Sequence, residues 1–406
     1  MLNPASSIRD WLPSFLVEGA RTAWRDVAHV TRGFRGEKVM TYELRSARET
    51  DAGLSPRAVV TKRLRVLEAV MCTPSAVSVR FETADGSPLH AEAGQFLSVH
   101  WPTGVRIDKR AYSLACRADG SSRGRIVVKV VPGGVVSAAL AANAGSLAHL
   151  DVTGPSGSFV LDASAHAHVF FAGGAGITPI ASMLLTHVPD RPKDRFVLVY
   201  GSRSLSECIL HEEIAALAKA YPDRLQILWS FDDAEGLGAH AKSAHIGPLD
   251  AAATRRLVAA IDREVVDDAT FYVCGPAPMM AATNAVLEER SVPASRVRTE
   301  RFASPGGGVG TGAVAAKTVA LRMKAGGRTL DVLGSTKQTI LEAGLAAGIS
   351  MPYSCAMGGC AACKVRVTAG ETQAEEPNCL DPAEAREGYV LACCTRPKSD
   401  VTVEVP

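Results

Sequence analysis

The chain has 406 residues, of which 47% are hydrophobic and 21% charged, and its formal net charge is +2 at pH 7. This length predicts two to four domains with enough apolar residues for several cores, and the small net charge excludes a general affinity for nucleic acid. The N-terminus lacks a basic start followed by an apolar core and a cleavage site, so we expect a cytoplasmic protein, where scattered free thiols are stable.

An N-terminal extension, residues 1–60, precedes the first motif. Leu16, Ala20, Trp24 and Val27 recur in it near helical spacing, with arginines and acidic residues between them, so the extension is expected to be helical. Two interpretations stay open. The apolar stripe either packs across the domain that follows or docks on a partner protein or a membrane surface.

Residues 61–162 are expected to form a small antiparallel β-barrel, because short strand-like runs alternate there with Gly and Pro. The expected strand segments are 61–80, 95–101, 110–116 and 125–131. A short helix is expected to begin within residues 132–137, and free amides at a helix start bind phosphate. The candidate phosphate ligands are Gly133, Gly134, Val135, Val136 and Ser137.

Residues 163–189 contain no Asp, Glu, Lys or Arg, and the stretch is long enough to imitate a membrane span. Its glycines and prolines predict a different structure: a buried strand at 169–172, a tight loop at 173–176, and a helix with Thr178 as N-cap that continues to about residue 187. Unpaired amides and the helix dipole make this helix start a candidate pyrophosphate site. Its candidate ligands are Gly174, Gly176 and Thr178.

Strand-like and helix-like segments alternate through the domain predicted at residues 163–302. Further strands are expected at 196–200, 225–231 and 270–273, and helices at 207–220, 250–262 and 278–290. This rhythm predicts a doubly wound parallel α/β sheet that binds its ligand at the carboxyl ends of the strands. The candidate ligand-binding residues at such ends are Ser202, Arg203, Cys274, Gly275 and Pro276.

Residues 303–316 have the Gly-rich composition of a flexible linker, which separates off a last domain at residues 317–406. Segments 319–323 and 328–333 alternate like the two strands of a hairpin, with glycines 326–327 at the turn. The last domain is therefore expected to begin with an antiparallel strand pair, and the linker would let it move.

A helix is expected after the hairpin. Ser335 and Gln338 match the capping-box pattern S-x-x-Q, and apolar residues follow at helical spacing. Gly348 is placed to end this helix just before a cysteine motif.

Four cysteines have the spacing C-x4-C-x2-C-x29-C, which is typical of the thiolates that hold a plant-type [2Fe-2S] cluster. They are Cys355, Cys360, Cys363 and Cys393. Glycines 358–359 would let backbone amides approach the cluster without a side chain in the way. Zinc is the rival interpretation, but zinc ligands usually come as two C-x2-C pairs, and one such pair is present.

The fourth ligand is the open point of this motif. Residues 389–394 read as a strand, in which neighbouring side chains point to opposite faces, so only one of Cys393 and Cys394 can be a ligand. Cys379, in a Pro-Asn-Cys-Leu-Asp-Pro loop, is a third alternative.

Three motifs resemble, in their order, those of the ferredoxin-NADP reductase superfamily. They are Arg110-Ala111-Tyr112-Ser113 (R-x-Y-S), the loop 173–179 (G-G-x-G-I-T-P) and Cys274-Gly275-Pro276 (C-G-P). The C-terminal part is similar to β-grasp ferredoxins, a similarity that favours Cys393 as the ligand. The resemblance covers about 61–406 and is greatest to single-chain NAD(P)H reductases of oxygenases and desaturases, the phenylacetyl-CoA epoxygenase reductases among them.

The resemblance implies roles for individual residues. Arg110 would pair with a flavin phosphate, Tyr112 would cover the isoalloxazine or bond the ribityl chain, and Ser113 would hydrogen-bond flavin N5. Thr178 would lie near the nicotinamide ribose and Cys274 near the nicotinamide ring, although a cysteine at a strand end can also be simply a small buried apolar residue.

The implied cofactors are FAD, with FMN possible, a [2Fe-2S] cluster, and NADPH or NADH. Arg203 could pair with a 2′-phosphate, and no acidic residue occupies its turn, which favours NADPH slightly. An exposed arginine at a helix start is the alternative.

The resemblance implies that hydride passes to the flavin and that single electrons leave through the cluster to a partner oxygenase, hydroxylase or desaturase. Two alternatives stay open: a reductase for a hybrid-cluster-type metalloprotein, and a redox sensor or carrier without catalysis. The oligomeric state and the identity of the acceptor are not predicted.

Overall fold

The computed structural model describes residues 41–44, 57–103, 106–238, 243–302, 317–325, 327–349, 351–353, 355–375 and 378–406. The apolar stripe of the extension and the predicted linker at 303–316 lie outside the described residues. The described part of the extension is a β-pair rather than a helix: β1 (Thr41–Leu44) runs antiparallel to β2 (Arg57–Val60). Among the described helices, none has the length and apolarity to span a bilayer.

The next part of the chain is a six-stranded antiparallel sheet. Its strands are β3 (Lys62–Thr73), β4 (Ala76–Thr83), β5 (Phe96–Thr103), β6 (Arg106–Ser113), β7 (Arg123–Lys129) and β8 (His149–Ser156), in the order β6-β5-β8-β3-β4-β7. The sheet curls towards a barrel, because a bridge joins Leu114, just after edge strand β6, to Ile126 in the middle of edge strand β7. The predicted segment 61–80 is two strands, and β8 was not predicted. Helix α1 (Val135–Ala142) follows β7 as expected.

A parallel sheet comes next, as predicted, but it has six strands instead of the four that were expected. It contains β9 (Ala167–Gly173), β10 (Arg195–Ser202), β11 (Leu225–Phe231), β12 (His245–Ile246), β13 (Thr270–Cys274) and β14 (Val297–Glu300), in the order β12-β11-β10-β9-β13-β14. Between them lie α2 (Ile177–Asp190), α3 (His211–Ala220), α4 (Ala251–Ala259), α5 (Arg263–Asp268) and α6 (Ala277–Glu289). The chain leaves β9 towards β10 on one side, whereas β13 lies on the other. This switch point is where doubly wound sheets bind ligands.

Two helix predictions in this domain need correction. The helix expected from residue 207 begins at His211, after Leu210, whose φ of +60° is left-handed and interrupts a helical path. The helix expected over 250–262 ends earlier, and α5 follows it. Both helices are capped by aspartates: the Asp250 carboxylate accepts from Ala253 N, and the Asp262 carboxylate accepts from Glu264 N.

The barrel and the parallel sheet share one hydrophobic core. Ala76, Ala115 and Val127 of the barrel pack in the same cluster as Phe170 and Tyr272 of the parallel sheet. The opposite face of the parallel sheet and the barrel interior each have a further core. Burial on both sides explains why β9 is an unbroken apolar run, which is usual for a central parallel strand.

Hydrogen bonds and ion pairs reinforce this shared boundary. Ser182 Oγ donates to the Cys116 carbonyl at 2.7 Å, and Arg125 Nη2 lies 2.8 Å from Glu213 Oε2. The first two domains therefore form one packed body with a mixed apolar and polar interface.

The C-terminal domain is α+β with its own core. Its strands are β15 (Thr318–Ala325), β16 (Arg328–Ser335), β17 (Lys364–Ala369), β18 (Thr372–Ala374), β19 (Tyr389–Leu391), β20 (Thr395–Pro397) and β21 (Val401–Val405), and its helices are α7 (Ile340–Ala346) and α8 (Pro382–Arg386). The main sheet has the order β16-β15-β21-β17-β19, in which β15 and β21 are parallel, and α7 packs against it. This is the expected β-grasp arrangement.

The predicted hairpin is confirmed by the pairing of β15 with β16, but the predicted helix cap is wrong. Ser335 ends β16, and the capping box is formed by Thr339 and Glu342: Thr339 Oγ1 accepts from Glu342 N, and the Glu342 carboxylate accepts from Thr339 N. The hairpin thus runs further than expected and moves the helix start. Gly348 does end this region, with a φ of +77°.

Candidate active site

The cysteine loop lies between α7 and β17 and has an unusual backbone. Ala356, Gly358 and Ala361 all have positive φ values, of +55°, +78° and +56°. Non-glycine residues seldom adopt this conformation, and such strained residues cluster at ligand-binding loops. The loop thereby turns several of its amides towards the cysteine sulfurs.

Backbone N–H groups donate to these sulfurs. Gly359 N lies 3.3 Å from Cys355 Sγ, Gly358 N lies 3.2 Å from Cys393 Sγ, and Cys355 N lies 3.4 Å from Cys360 Sγ. Hydrogen bonds to ligand sulfurs stabilise thiolates and tune cluster potential. The cysteine sulfurs and the backbone N–H groups of this loop therefore both suit an iron-sulfur cluster.

The four predicted thiols contact each other in two pairs. Cys355 contacts Cys360, and Cys363 contacts Cys393, which also contacts Cys394. Among the described residues, no three His, Cys, Asp or Glu side chains are arranged to hold a single metal ion. Two pairs fit two irons that each take two thiolates, as in a [2Fe-2S] cluster, better than one zinc that takes four.

The strand argument about the fourth ligand is wrong, because β19 ends at Leu391 and both Cys393 and Cys394 lie in the turn that follows. The local contacts distinguish them instead. Cys393 Sγ accepts from the loop amide of Gly358, whereas Cys394 Sγ donates to the Leu391 carbonyl at 3.6 Å. Cys379 is exposed, and its backbone N–H donates to the Gly358 carbonyl.

Strand β6 carries the R-x-Y-S motif. Arg110 and Tyr112 are partly exposed, whereas Ser113 is buried, as strand alternation requires. Arg110 Nη1 donates to the carbonyl of Lys109 at 2.8 Å. Burial raises the pKa of Tyr112, so its hydroxyl stays protonated as a hydrogen-bond donor.

The start of α1 is an uncapped helix N-terminus. Gly134 is the N-cap residue without a side-chain cap, and the preceding Gly133 has a φ of +74°. The Ser137 hydroxyl accepts from Val131 N at 3.2 Å, and a Cβ at Gly134 would lie 2.6 Å from this hydroxyl. The helix leaves the amides of Val135, Val136 and Ser137 without intrahelical partners, so they suit a phosphate.

The glycine loop after β9 approaches the C-G-P loop after β13. A Cβ at Gly176 would lie 2.1 Å from the Cys274 carbonyl oxygen, so no other residue fits there without movement of the backbone. Thr178 is not the N-cap. Gly176 caps α2 after a short 3-10 turn, and Thr178 Oγ1 donates to the Ala175 carbonyl at 2.9 Å.

A lysine that the sequence interpretation missed lies at the same loop. A Cβ on Gly174 would lie 3.3 Å from Lys129 Nζ, and burial together with the Arg203 charge lowers the pKa of Lys129. One cation therefore lies at the helix start where an anionic ligand is expected, and Arg203 and Glu207 are close enough to act on its charge. The signal was weak in the sequence, because Lys129 ends an ordinary barrel strand.

The turn after β10 lies beside acidic residues that are distant from it in the sequence. Arg203 is exposed, and Ser202 Oγ donates to the Ser204 carbonyl at 3.1 Å. From the end of β11, Asp232 N donates to the Ser202 carbonyl and Asp233 N to the Arg203 carbonyl. Two aspartates thus lie beside a turn in which the sequence shows no acidic residue.

Glu300 is a second missed residue. It is paired with Cys274 between β13 and β14 and lies near Ser113, so the ends of the flavin strand and the nucleotide strand meet at one carboxyl group. Burial raises the pKa of Glu300 to about 8, and the Ser113 hydroxyl opposes this shift. Glu300 could have been found from the sequence, because it is an acidic residue at the end of a strand in a domain with apolar strands.

Two buried polar side chains lie at this junction. Within the described part of the chain, Ser113 and Glu300 lie close enough to interact with each other, and Ser113 Oγ and Glu300 Oε2 have no further hydrogen-bonding partner. Orphaned polar atoms of this kind are rare and need an explanation, which a bound cofactor provides. Cys274 is fully buried beside them, and burial raises the pKa of its thiol, so it is not a thiolate.

Sequence models of three families match consecutive parts of the chain. They describe an oxidoreductase FAD-binding domain (63–161), an oxidoreductase NAD-binding domain (170–285) and a 2Fe-2S iron-sulfur cluster binding domain (324–398). A component of the 1,2-phenylacetyl-CoA epoxidase from Escherichia coli (strain K12) is 31% identical over 303 residues, which are 73% of this chain and 83% of the relative. The chain belongs to the ferredoxin reductase family. Its cofactors are FAD, NAD(P)H and a [2Fe-2S] cluster.

Further relatives have a similar sequence or fold over most of their length. The ferredoxin reductase component of 3-ketosteroid-9-alpha-monooxygenase from Rhodococcus rhodochrous is 30% identical over 316 residues, covering 76% of this chain and 85% of the relative. The solved structure of phthalate dioxygenase reductase superposes with a TM-score of 0.59 at 22% identity, over 85% of this chain and 98% of that one. The predicted fold class and family are confirmed.

Proposed function

We propose that this ferredoxin reductase is the electron-transfer component of an oxygenase system: it takes hydride from NAD(P)H and delivers single electrons to a separate protein. The observation that carries the proposal is that Ser113, Cys274 and Glu300 lie together where the flavin and nucleotide domains join. The same junction also packs against the cysteine loop. Relatives named as reductase components of an epoxidase and of monooxygenases support the oxygenase as partner.

In this proposal the flavin is held by β6 and α1. The Arg110 guanidinium and the amides of residues 133–137 bind phosphate, and Tyr112 covers the ring system. Bound FAD supplies a group that accepts electrons in pairs and releases them singly. Ser113 and Glu300 orient the reacting edge by hydrogen bonds, and the buried Glu300 carboxyl keeps its proton below a pH of about 8.

The nucleotide is held at the carboxyl ends of the parallel strands. The amides at Gly174, Gly176 and Thr178 and the ammonium of Lys129 bind its phosphates, where the helix dipole adds to the attraction. Ser202 and Arg203 contact the adenine ribose. Cys274, Gly275 and Pro276 form a tight apolar wall that orients the nicotinamide and excludes water.

The cluster is held by Cys355, Cys360, Cys363 and Cys393, and the loop amides that donate to their sulfurs stabilise the negative charge. We propose the domain boundaries 61–162, 163–302 and 317–406, with the extension 1–60 and the linker 303–316. The matched ranges of the three families fall inside these boundaries and support them. A cytoplasmic location is part of the proposal.

The test compares Cys393→Ser with Cys394→Ser in the full chain. Cys393→Ser should lose the iron-sulfur visible spectrum and most NAD(P)H-driven cytochrome c reduction, yet keep ferricyanide reduction, because the flavin can reduce ferricyanide directly. Cys394→Ser and Cys379→Ser should keep all three. The opposite result for Cys393 and Cys394 would reverse the ligand assignment.

A second outcome separates the reductase from the non-catalytic alternatives. If the wild-type flavin stays oxidised with excess NADH or NADPH, the chain is a sensor or carrier instead. If the flavin is reduced but only a hybrid-cluster-type protein accepts its electrons, the oxygenase partner is wrong and the reductase assignment stands.

A further inference from the structure

Lys109 is a buried cation on the flavin strand. It precedes Arg110 of the R-x-Y-S motif, yet only 4% of it is exposed. Lysine is seldom buried to this extent because removing an ammonium from water is costly. Its position therefore needs a compensating interaction.

The compensation comes from the cysteine-bearing domain. Lys109 Nζ donates to the carbonyl of Tyr353 at 2.9 Å, and it lies 4.8 Å from the centre of the Tyr353 ring. A hydrogen bond and a cation–π contact from one ammonium to one residue fix that residue in position and direction. Tyr353 is two residues before Cys355, so this contact holds the entrance of the cysteine loop against β6.

The ammonium also acts on the cysteine sulfurs through its charge. Lys109 and Cys360 are close enough to interact electrostatically. Their surroundings are largely screened from water, and charge interactions are stronger there than at the surface. A single strand thus carries the flavin motif and a cation directed at the cluster site.

A cation at this place affects reduction of the cluster more than its binding. A [2Fe-2S] group with four thiolates is negative, and reduction adds one further negative charge. Net charge around a cluster is among the factors that set its potential. A nearby ammonium stabilises the reduced form more than the oxidised form, and so it favours arrival of the electron.

We propose that Lys109 is a positioning residue that ties the cysteine loop to the flavin strand and raises the reduction potential of the cluster. The inference rests on the proposed function. In the step concerned, the reduced flavin loses one electron and the cluster gains it. No further oxidant or reductant is needed, since NAD(P)H supplies the electrons.

The experiment uses the full-length holoprotein at pH 7 and compares Lys109→Met and Lys109→Gln with Lys109→Arg. The measured quantity is the midpoint potential of the cluster, followed by the electron paramagnetic resonance signal of its reduced form. The neutral variants should disfavour reduction about tenfold, which is about 59 mV for a one-electron couple. Lys109→Arg should keep the potential because it keeps the charge.

Lys324→Met is the matched control. Lys324 lies in the same domain, pairs with Glu404 and is half exposed, so its loss removes the same charge at a solvated site. The potential should stay unchanged in this variant, since water screens surface charges.

Stopped-flow reduction by NADPH or NADH supplies a second readout. Flavin reduction should keep its wild-type rate in the Lys109 variants, whereas reduction of the cluster should slow several-fold. A neutral variant with full iron content and a wild-type potential overturns the proposal, and so does a Lys109→Arg variant whose potential falls as far as that of Lys109→Met.

Failure of the proposed function would give a different result from failure of the Lys109 proposal. If no nucleotide reduces the wild-type flavin, the reductase assignment fails, while the chemically poised potentials of the variants still decide the role of Lys109. Loss of iron in both neutral variants but not in Lys109→Arg supports the positioning role, and loss of iron in all three contradicts the role of charge.

Discussion

The flavin and nucleotide domains are joined to each other very differently from the way the [2Fe-2S] domain is joined to them. The first two share one apolar core, to which Ala76 and Tyr272 both belong, and buried hydrogen bonds reinforce it. The cluster domain has a separate core and meets the barrel through contacts such as Lys109 with Tyr353. Hydride transfer requires reacting atoms about 3–3.5 Å apart, whereas an electron can pass between groups that do not touch. The boundary with the more extensive apolar packing is therefore the one across which hydride transfer is proposed.

Removal of everything after Gly312 tests this difference with the largest expected effect. The truncated chain should remain folded with FAD bound, because the shared core loses no residue, and it should keep ferricyanide reduction. It should lose nearly all cytochrome c reduction and all support of the partner oxygenase. Steady-state assays with both acceptors measure this.

Full-length Cys360→Ser is the control for the truncation, since it removes a cluster ligand but keeps the domain. Both proteins should behave alike with ferricyanide. If the truncated chain unfolds while Cys360→Ser stays folded, the cluster domain supports the other two, and the boundaries are less different than we infer.

Glu300→Gln tests the rigid boundary, with an intermediate effect. Flavin reduction by NAD(P)H should slow about thirtyfold, because an amide keeps the shape of the carboxyl group but replaces its hydrogen bond to the reacting edge, a loss of about 2 kcal/mol. The wild-type rate should change near pH 8, where the buried carboxyl loses its proton, and stopped-flow traces of Glu300→Gln should show no such change. Glu289→Gln, an exposed residue paired with Arg255, should match the wild type.

The same variant has a stability signature. Burial raises the pKa of Glu300 from 4.5 to about 8, so folding favours the protonated carboxyl. The wild type should therefore lose stability as the pH rises from about 4.5 to about 8, and Glu300→Gln should not. Urea midpoints at pH 5 and pH 9 that shift equally in both proteins would contradict the buried titration.

Arg203→Ala has the smallest expected effect, since this side chain is exposed and its proposed nucleotide contact is a single one. Loss of one charge-assisted bond to a 2′-phosphate should raise KM for NADPH about tenfold and leave KM for NADH nearly unchanged. Arg263→Ala, on an exposed helix, serves as the control. Equal changes for both nucleotides would refute a phosphate contact and turn attention to Asp232 and Asp233.

Local patterns predicted the elements of this molecule better than their junctions. The alternation of β15 and β16 and the apolar run of β9 are visible in the sequence, because each reports burial of its own strand. The helix cap at Thr339 was missed, since the length of β16 depends on its pairing with β15. The secondary-structure propensities of the residues do not specify how β16 pairs with β15.

In the site, too, local patterns predicted residues within one element better than residues at the junctions between domains. The spacing of the four cysteines and the three motifs predicted ligands that lie within a loop or at a strand end. Lys129, Glu300 and Lys109 went unnoticed because each belongs to one domain and acts on another. Such residues are identified only by the packing of domains, which no local pattern encodes.

The shared core also has a consequence for biosynthesis. The barrel is translated first, and its Ala76 and Val127 surface stays without its final cover until the β13 segment emerges. At about 5–20 residues per second, this wait is on the order of ten seconds. The nascent barrel exposes an apolar face throughout, so a chaperone has a defined surface to protect, and a ribosomal pause shortly before residue 270 would prolong that exposure.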